Sequence, residues 1–264
     1  TINAGSLLIG TTFGVQGQIA NNGSVQFNQS TAGTYGGNMT GTGTVEIGGT
    51  GPVTFSGTNT YTGGTTVDSG ARLIGTTFGL QGTIANNGTV QFSQSANGIY
   101  GGNITGSGAV QIGGTGPITF SGVNNYSGGT TVDSGGKLIG TTDSVQGGIT
   151  NNGTVQFKQS AGGTYAGSMS GTGGVEISGA GPVTFSGTNT YSGGTTIDNG
   201  SMLIGTTASV QQSIVNDGTL RFNQGTAGTY SGNMTGVGSV QINGIGPITF
   251  SGINSYSGGT TINA

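Results

Sequence analysis

Short runs of alternating apolar and polar residues mark this chain, among them Val25-Gln26-Phe27, Val45-Glu46-Ile47 and Val53-Thr54-Phe55. A period of two belongs to strands with one buried face, and Gly, Asn or Ser closes each run after three to five residues. Apolar residues seldom hold the 3.6 spacing of a helix, and Gly interrupts too often to let one persist. The pattern predicts an all-β chain of short strands.

The pattern also returns at a fixed distance. Tyr61, Tyr126, Tyr191 and Tyr256 stand 65 residues apart, and the same register holds Pro52, Pro117, Pro182 and Pro247, then Phe55, Phe120, Phe185 and Phe250. The chain is four copies of one unit, residues 1–65, 66–130, 131–195 and 196–260, with 261–264 opening a fifth. A fixed period is read before any local motif, and it makes residues 1–264 one continuous solenoid segment in place of separate globular domains. Thr1-Ile2-Asn3-Ala4 aligns with Thr66-Val67-Asp68-Ser69, so the chain reads as a window of a longer array.

Within a copy a shorter theme recurs: an apolar residue, a polar turn closing on Gly, then a strand. It begins at Ile2, Ile19 and Met39 and again at Val67, at spacings of 17, 20 and 28 residues. Such spacings are about what one coil of a parallel β-helix consumes. The expected fold is a parallel β-helix solenoid with about three coils per 65-residue repeat, the third coil long because of a surplus between Phe55 and Val67. Stacking is required because a single coil buries its inward Val, Ile, Leu or Phe only under another coil, roughly 4.8 Å away.

Outward positions should vary and inward ones should not. Leu7, Arg72, Lys137 and Met202 share one position, whereas the next is always Leu (Leu8, Leu73, Leu138, Leu203) and the one after always Ile (Ile9, Ile74, Ile139, Ile204). Alternation is expected to break at this Leu-Ile pair, one member lying at a corner. Asn21-Asn22-Gly23 and its three counterparts read as turns, since Asn and Gly tolerate positive φ, with a corner Asn bonding to the next coil. Pro52 and its counterparts open strands, where a missing N–H costs least.

Composition narrows the function. Gly supplies 62 of 264 residues without the every-third-residue rule of collagen. The four basic residues, Arg72, Lys137, Lys158 and Arg221, are scattered one to a copy where nucleic-acid binding needs a basic cluster. No apolar run approaches a membrane helix, so no membrane contact by this segment is expected. The chain lacks Cys and His, which removes thiolate ligands, disulfides and imidazole bases.

Candidate chemistry is sparse. Glu46 and Glu176 occupy a position that is Gln111 and Gln241 in the other copies, and Asp68, Asp133 and Asp198 occupy that of Asn3, which reads as surface tolerance. Gly63-Gly64-Thr65-Thr66 lacks the lysine and helix of a phosphate loop. The calcium-binding nonapeptide of β-rolls is missing, and the Thr pairs recur too rarely for an ice-binding face. No catalytic, metal or cofactor site is expected. The remaining candidates for ligand contact are two tyrosine rows: Tyr61, Tyr126, Tyr191 and Tyr256, and Tyr35, Tyr100, Tyr165 and Tyr230. Such rings would lie over an apolar surface with hydroxyls in water, or act as platforms for a glycan.

The run Ser56-Gly57-Thr58-Asn59-Thr60-Tyr61-Thr62-Gly63-Gly64-Thr65-Thr66-Val67, with Gly70 and Leu73, resembles the passenger-associated repeat of bacterial autotransporters. Its lead-in, Gly41-Thr42-Gly43-Thr44-Val45 and Gly51-Pro52-Val53-Thr54-Phe55, is also similar. The resemblance covers roughly half of each copy. It implies a secreted right-handed parallel β-helix at the surface of a Gram-negative cell, exported through the outer membrane by a β-barrel outside this window. It further implies an adhesin, aggregation factor or stalk, with host or neighbouring-cell glycans or proteins as partners and self-association as a further expectation.

Overall fold

A computed structural model describes residues 1–263, which form strands and turns arranged as two compact units, Thr1–Gly136 and Lys137–Ala264. Every strand pair in either unit is parallel. In the first unit, one sheet stacks Leu7–Gly10, Ser24–Asn28, Thr44–Gly48, Thr65–Val67, Ile84–Asn86 and Ile104–Thr105. A second stacks Gly33–Tyr35, Val53–Phe55, Arg72–Gly75, Thr89–Ser93, Ala109–Gly113 and Thr130–Val132. A third face carries Ile19–Ala20 beside Met39–Thr40 and Gly98–Tyr100 beside Ile118–Phe120. The second unit repeats this three-sided plan: Lys137–Gly140 lies beside Thr154–Lys158, and Met202–Gly205 stands in a separate sheet beside Thr219–Asn223. Each unit is a parallel β-solenoid.

The register shows how a copy maps onto coils. Leu8 pairs with Val25, Val25 with Val45 and Val45 with Thr65, so three coils are complete by Thr65. The next copy's Leu73 comes eight residues later and lies on the neighbouring face, paired with Val53 and Val90. Each copy therefore makes about three coils, as expected, and a further third. The coil expected to be long is of ordinary length, because the surplus between Phe55 and Val67 carries the chain on to the next face. Within each unit, consecutive copies consequently show the same sequence on different sides.

Alternation explains the core. Val25, Phe27, Val45, Ile47, Val53, Phe55 and Val67 point inward and are buried, while Gln26, Glu46 and Thr54 face outward between them. The Leu-Ile pair does not break this rule: Leu73, Leu138 and Leu203 are buried, and Ile74, Ile139 and Ile204 are half-buried on the outer face. No corner lies there, because the strand runs on through Gly75. Rings gather inside, Phe92 standing 5.0 Å from Tyr100 and 5.3 Å from Phe120 in edge-on geometry.

The turns close by two different uses of glycine. Gly41 takes φ 102°, a left-handed conformation other residues rarely adopt. Gly23 in Asn21-Asn22-Gly23 does not adopt positive φ, contrary to the expectation for this turn. It is glycine because a Cβ there would sit 2.3 Å from the Ser6 carbonyl oxygen and 2.4 Å from that of Asn3.

Buried asparagines tie coils together, as foreseen for Asn21, whose Nδ2 donates to the Thr44 carbonyl at 2.9 Å. The stronger link is Asn59, in the Asn-x-Tyr signature. Its Oδ1 accepts from the Met39 N–H and its Nδ2 donates to the Gly79 carbonyl, both at 2.8 Å, joining the coils on either side. Asn189 does the same for Met169 and Ser209. Asn59→Ala would orphan two buried backbone groups and is expected to cost roughly 2–5 kcal/mol, read from denaturant unfolding. A loss below about 1 kcal/mol would mean that the two groups find other partners.

Candidate ligand-contact surface

The tyrosine rows do not stand on the surface. Tyr61 is 2% exposed, and Tyr126, Tyr191, Tyr35, Tyr100, Tyr165 and Tyr230 are equally enclosed; only Tyr256 is half-buried. Nor do the hydroxyls of the seven enclosed tyrosines point freely into water. Tyr61 pairs with the Thr65 hydroxyl at 2.6 Å, as Tyr126 does with Thr130, and Tyr256 pairs with Thr260 in the same way. Tyr35 and Tyr100 donate to the Gly17 and Gly82 carbonyls at 2.6 Å, and Tyr165 and Tyr230 donate to those of Gly147 and Gln212. The expectation of aromatic platforms is thus corrected: a ring stacked between coils offers no face to a ligand. The Gly-Gly-Thr-Thr run reads physically as the partner that satisfies this hydroxyl, since Thr65 is buried beside it.

Burial sets the acidity of these phenols. It pushes Tyr61, Tyr126 and Tyr191 up from 10.0 to about 12, the threonine hydroxyl offsetting part of the rise. Tyr100 and Tyr230 are raised further, by burial first and then by the neighbouring Tyr61 and Tyr191.

The acidic side chains serve the outer faces. Gln26 donates to Glu46 at 2.7 Å one coil away, Gln111 to Asp133 at 2.8 Å, and Lys137 pairs with Glu176 at 2.6 Å across two coils. Arg72 donates to both Gln91 and Gln111 at 2.7 Å. Such half-exposed pairs contribute little stability singly. They use the variable outward position of each strand to match one coil to the next. Among the described residues, no three acidic side chains gather as a metal site would require.

What the surface does offer is a corner groove of about 560 Å³ in the first unit. Three successive loops line it: Thr76 and Phe78 from one coil, Ser93 to Asn97 from the next, and Gly114 with Thr115 from the third. Sequence reasoning passed over Phe78 because Phe at the strand positions is core. The available signal was that its position holds Phe13, Phe78, Asp143 and Ala208 in the four copies, a range no buried site accepts.

Stacked parallel coils around an apolar centre, with polar pairs on the outer faces, define a β-solenoid repeat protein. The particular repeat is the passenger-associated-transport-repeat, whose family model matches residues 38–71, 113–139, 177–204 and 243–264. Each match covers one copy's Asn-x-Tyr-x-Gly-Gly-Thr-Thr signature, and together they span somewhat under half of the chain. No curated protein and no solved structure matches it significantly.

Proposed function

We propose that this segment is a non-catalytic structural array outside a bacterial cell, a stalk or fibre portion of an autotransporter passenger whose adhesion, if present, is shared among copies. One observation carries this reading: each copy closes the same core and ends a third of a coil past a whole number. Neighbouring copies within a unit thus turn the same motif to different sides, which suits a spacer better than a binding face built by repetition. Glu46, Asp133 and Glu176 are engaged in coil-to-coil pairs, which supports a structural role for these carboxylates. The repeat family implies display outside the cell; anchoring by a β-barrel elsewhere in the protein belongs to this proposal.

The test compares chains of two, four and six copies. Their longest dimension by small-angle X-ray scattering is expected to grow by about 16 Å per copy, three and a third coils at about 4.8 Å each. Retention on epithelial layers or on neighbouring bacteria should rise in step with copy number. A dimension that stops growing, or retention complete with a single copy, would overturn the stalk reading.

A further inference from the structure

The corner groove beside Phe78 begins with a turn whose shape does not depend on the residue at its tip. Leu80 N–H donates to the Thr76 carbonyl at 2.9 Å, and the Thr76 hydroxyl accepts from Phe78 N–H at 3.2 Å. Leu80 is anchored in the core and Phe78 is thrown outward, 60% exposed. Asp143 and Ala208 occupy the same tip in the later copies, where Val145 and Val210 make the equivalent bonds to Thr141 and Thr206 at 2.9 Å. The turn therefore needs no aromatic ring, yet Phe13 and Phe78 supply one, Phe13 being 76% exposed.

The groove's other residues are neutral, and all but Ala96 and Gly114 carry a hydrogen-bonding side chain. Among the described residues, no hydrogen bond joins the side chains of Ser93, Ser95, Asn97 or Thr115 to the protein, and no charged residue lines the groove. Gln94 is held by Thr77 N–H at 2.8 Å and by the Ala96 carbonyl, which fixes the loop. A rigid apolar ring beside unspent hydroxyl and amide groups fits a ligand with one apolar face and a rim of hydroxyls. The volume falls in the range of small-ligand sites, about 300–1,000 Å³. A protein partner would be expected to need some 800 Å² of contact with Trp, Tyr or Arg anchors, and this groove presents none of those residues.

We propose that the groove at Phe78 binds a short neutral saccharide, stacked on the ring and hydrogen-bonded by Asn97, Ser95 and Thr115. This goes beyond the stalk assignment and does not depend on it.

The test uses the whole chain with labelled phenylalanine, titrated by NMR with lactose, maltotriose, cellotriose and triacetylchitotriose, and separately with a Leu-rich peptide. At least one saccharide is expected to shift the ring signals of Phe78. Phe78→Asp, which installs what the third copy carries naturally, should weaken that binding at least tenfold with the melting temperature nearly unchanged. Phe78→Ala, matching the fourth copy, serves the same purpose should the first variant fold poorly. The proposal is overturned if none of the four saccharides moves the Phe78 signals, if Phe78→Asp and Phe78→Ala bind as tightly as the parent, or if only the peptide binds.

Discussion

Raising the pH through 10 and towards 12 is expected to unfold this protein, with phenolate absorption and the loss of β-sheet circular dichroism rising together. Below pH 10 the tyrosines are neutral in both folded and unfolded chains, so their ionisation has no influence. Above it, an unfolded phenol gives up its proton near its ordinary value of 10.0, whereas Tyr61, Tyr126 and Tyr191 hold theirs to about 12. The folded state then binds more protons than the unfolded one, so stability falls with each step in pH until the folded value is passed. Each such residue corresponds to roughly 3 kcal/mol at the far end of that window. Three of them approach the whole stability of an ordinary domain, about 5–15 kcal/mol. Phenolate absorption amounting to several tyrosines near pH 10 with the sheet signal intact would show that the rings of Tyr61, Tyr126 and Tyr191 meet solvent, and the enclosed rows would have to be abandoned.

Phe92→Ala is expected to cost about 3–5 kcal/mol, measured as a lowered midpoint in urea. Phe92 is fully buried against Tyr100 and Phe120. Its neighbours belong to backbone held in register on both sides, Thr89–Ser93 lying between Arg72–Gly75 and Ala109–Gly113. A stack pinned by that many inter-coil bonds cannot close the cavity, so the lost contacts stay lost. The contrast with Phe78 is instructive: the same residue type, exposed at a turn tip, should be replaceable with almost no loss of stability. A cost for Phe92→Ala below about 1 kcal/mol would mean that the coils collapse into the space.

The two phenylalanines also show where one-dimensional reasoning stops. Phe92 is legible because Val90-Gln91-Phe92 alternates and the pattern returns at the same place in every copy. Tyr61 is not legible in this way. It lies in a stretch without alternation, among Thr, Asn and Gly, where a ring on the surface and a ring under the next coil give the same local text. Its burial rests on Thr65 supplying a hydroxyl partner and on Asn59 pinning the segment to two other coils, at residues 39 and 79. Gly23 is similar: its composition says turn, but the reason is a carbonyl approaching from a different part of the chain.

Local order and period thus settle the short strands, the inward Val, Ile and Phe, the four copies and the stacking that such small pieces need to bury anything. Those are properties of side-chain alternation and self-similarity, both written along one dimension. Which face each copy occupies, whether a tyrosine is core or surface, and the meeting of three loops beside Phe78 are decided in space. They depend on the angle the chain has turned when a copy ends, because eight residues beyond three coils carry Leu73 to a new side and bring unrelated loops to one corner.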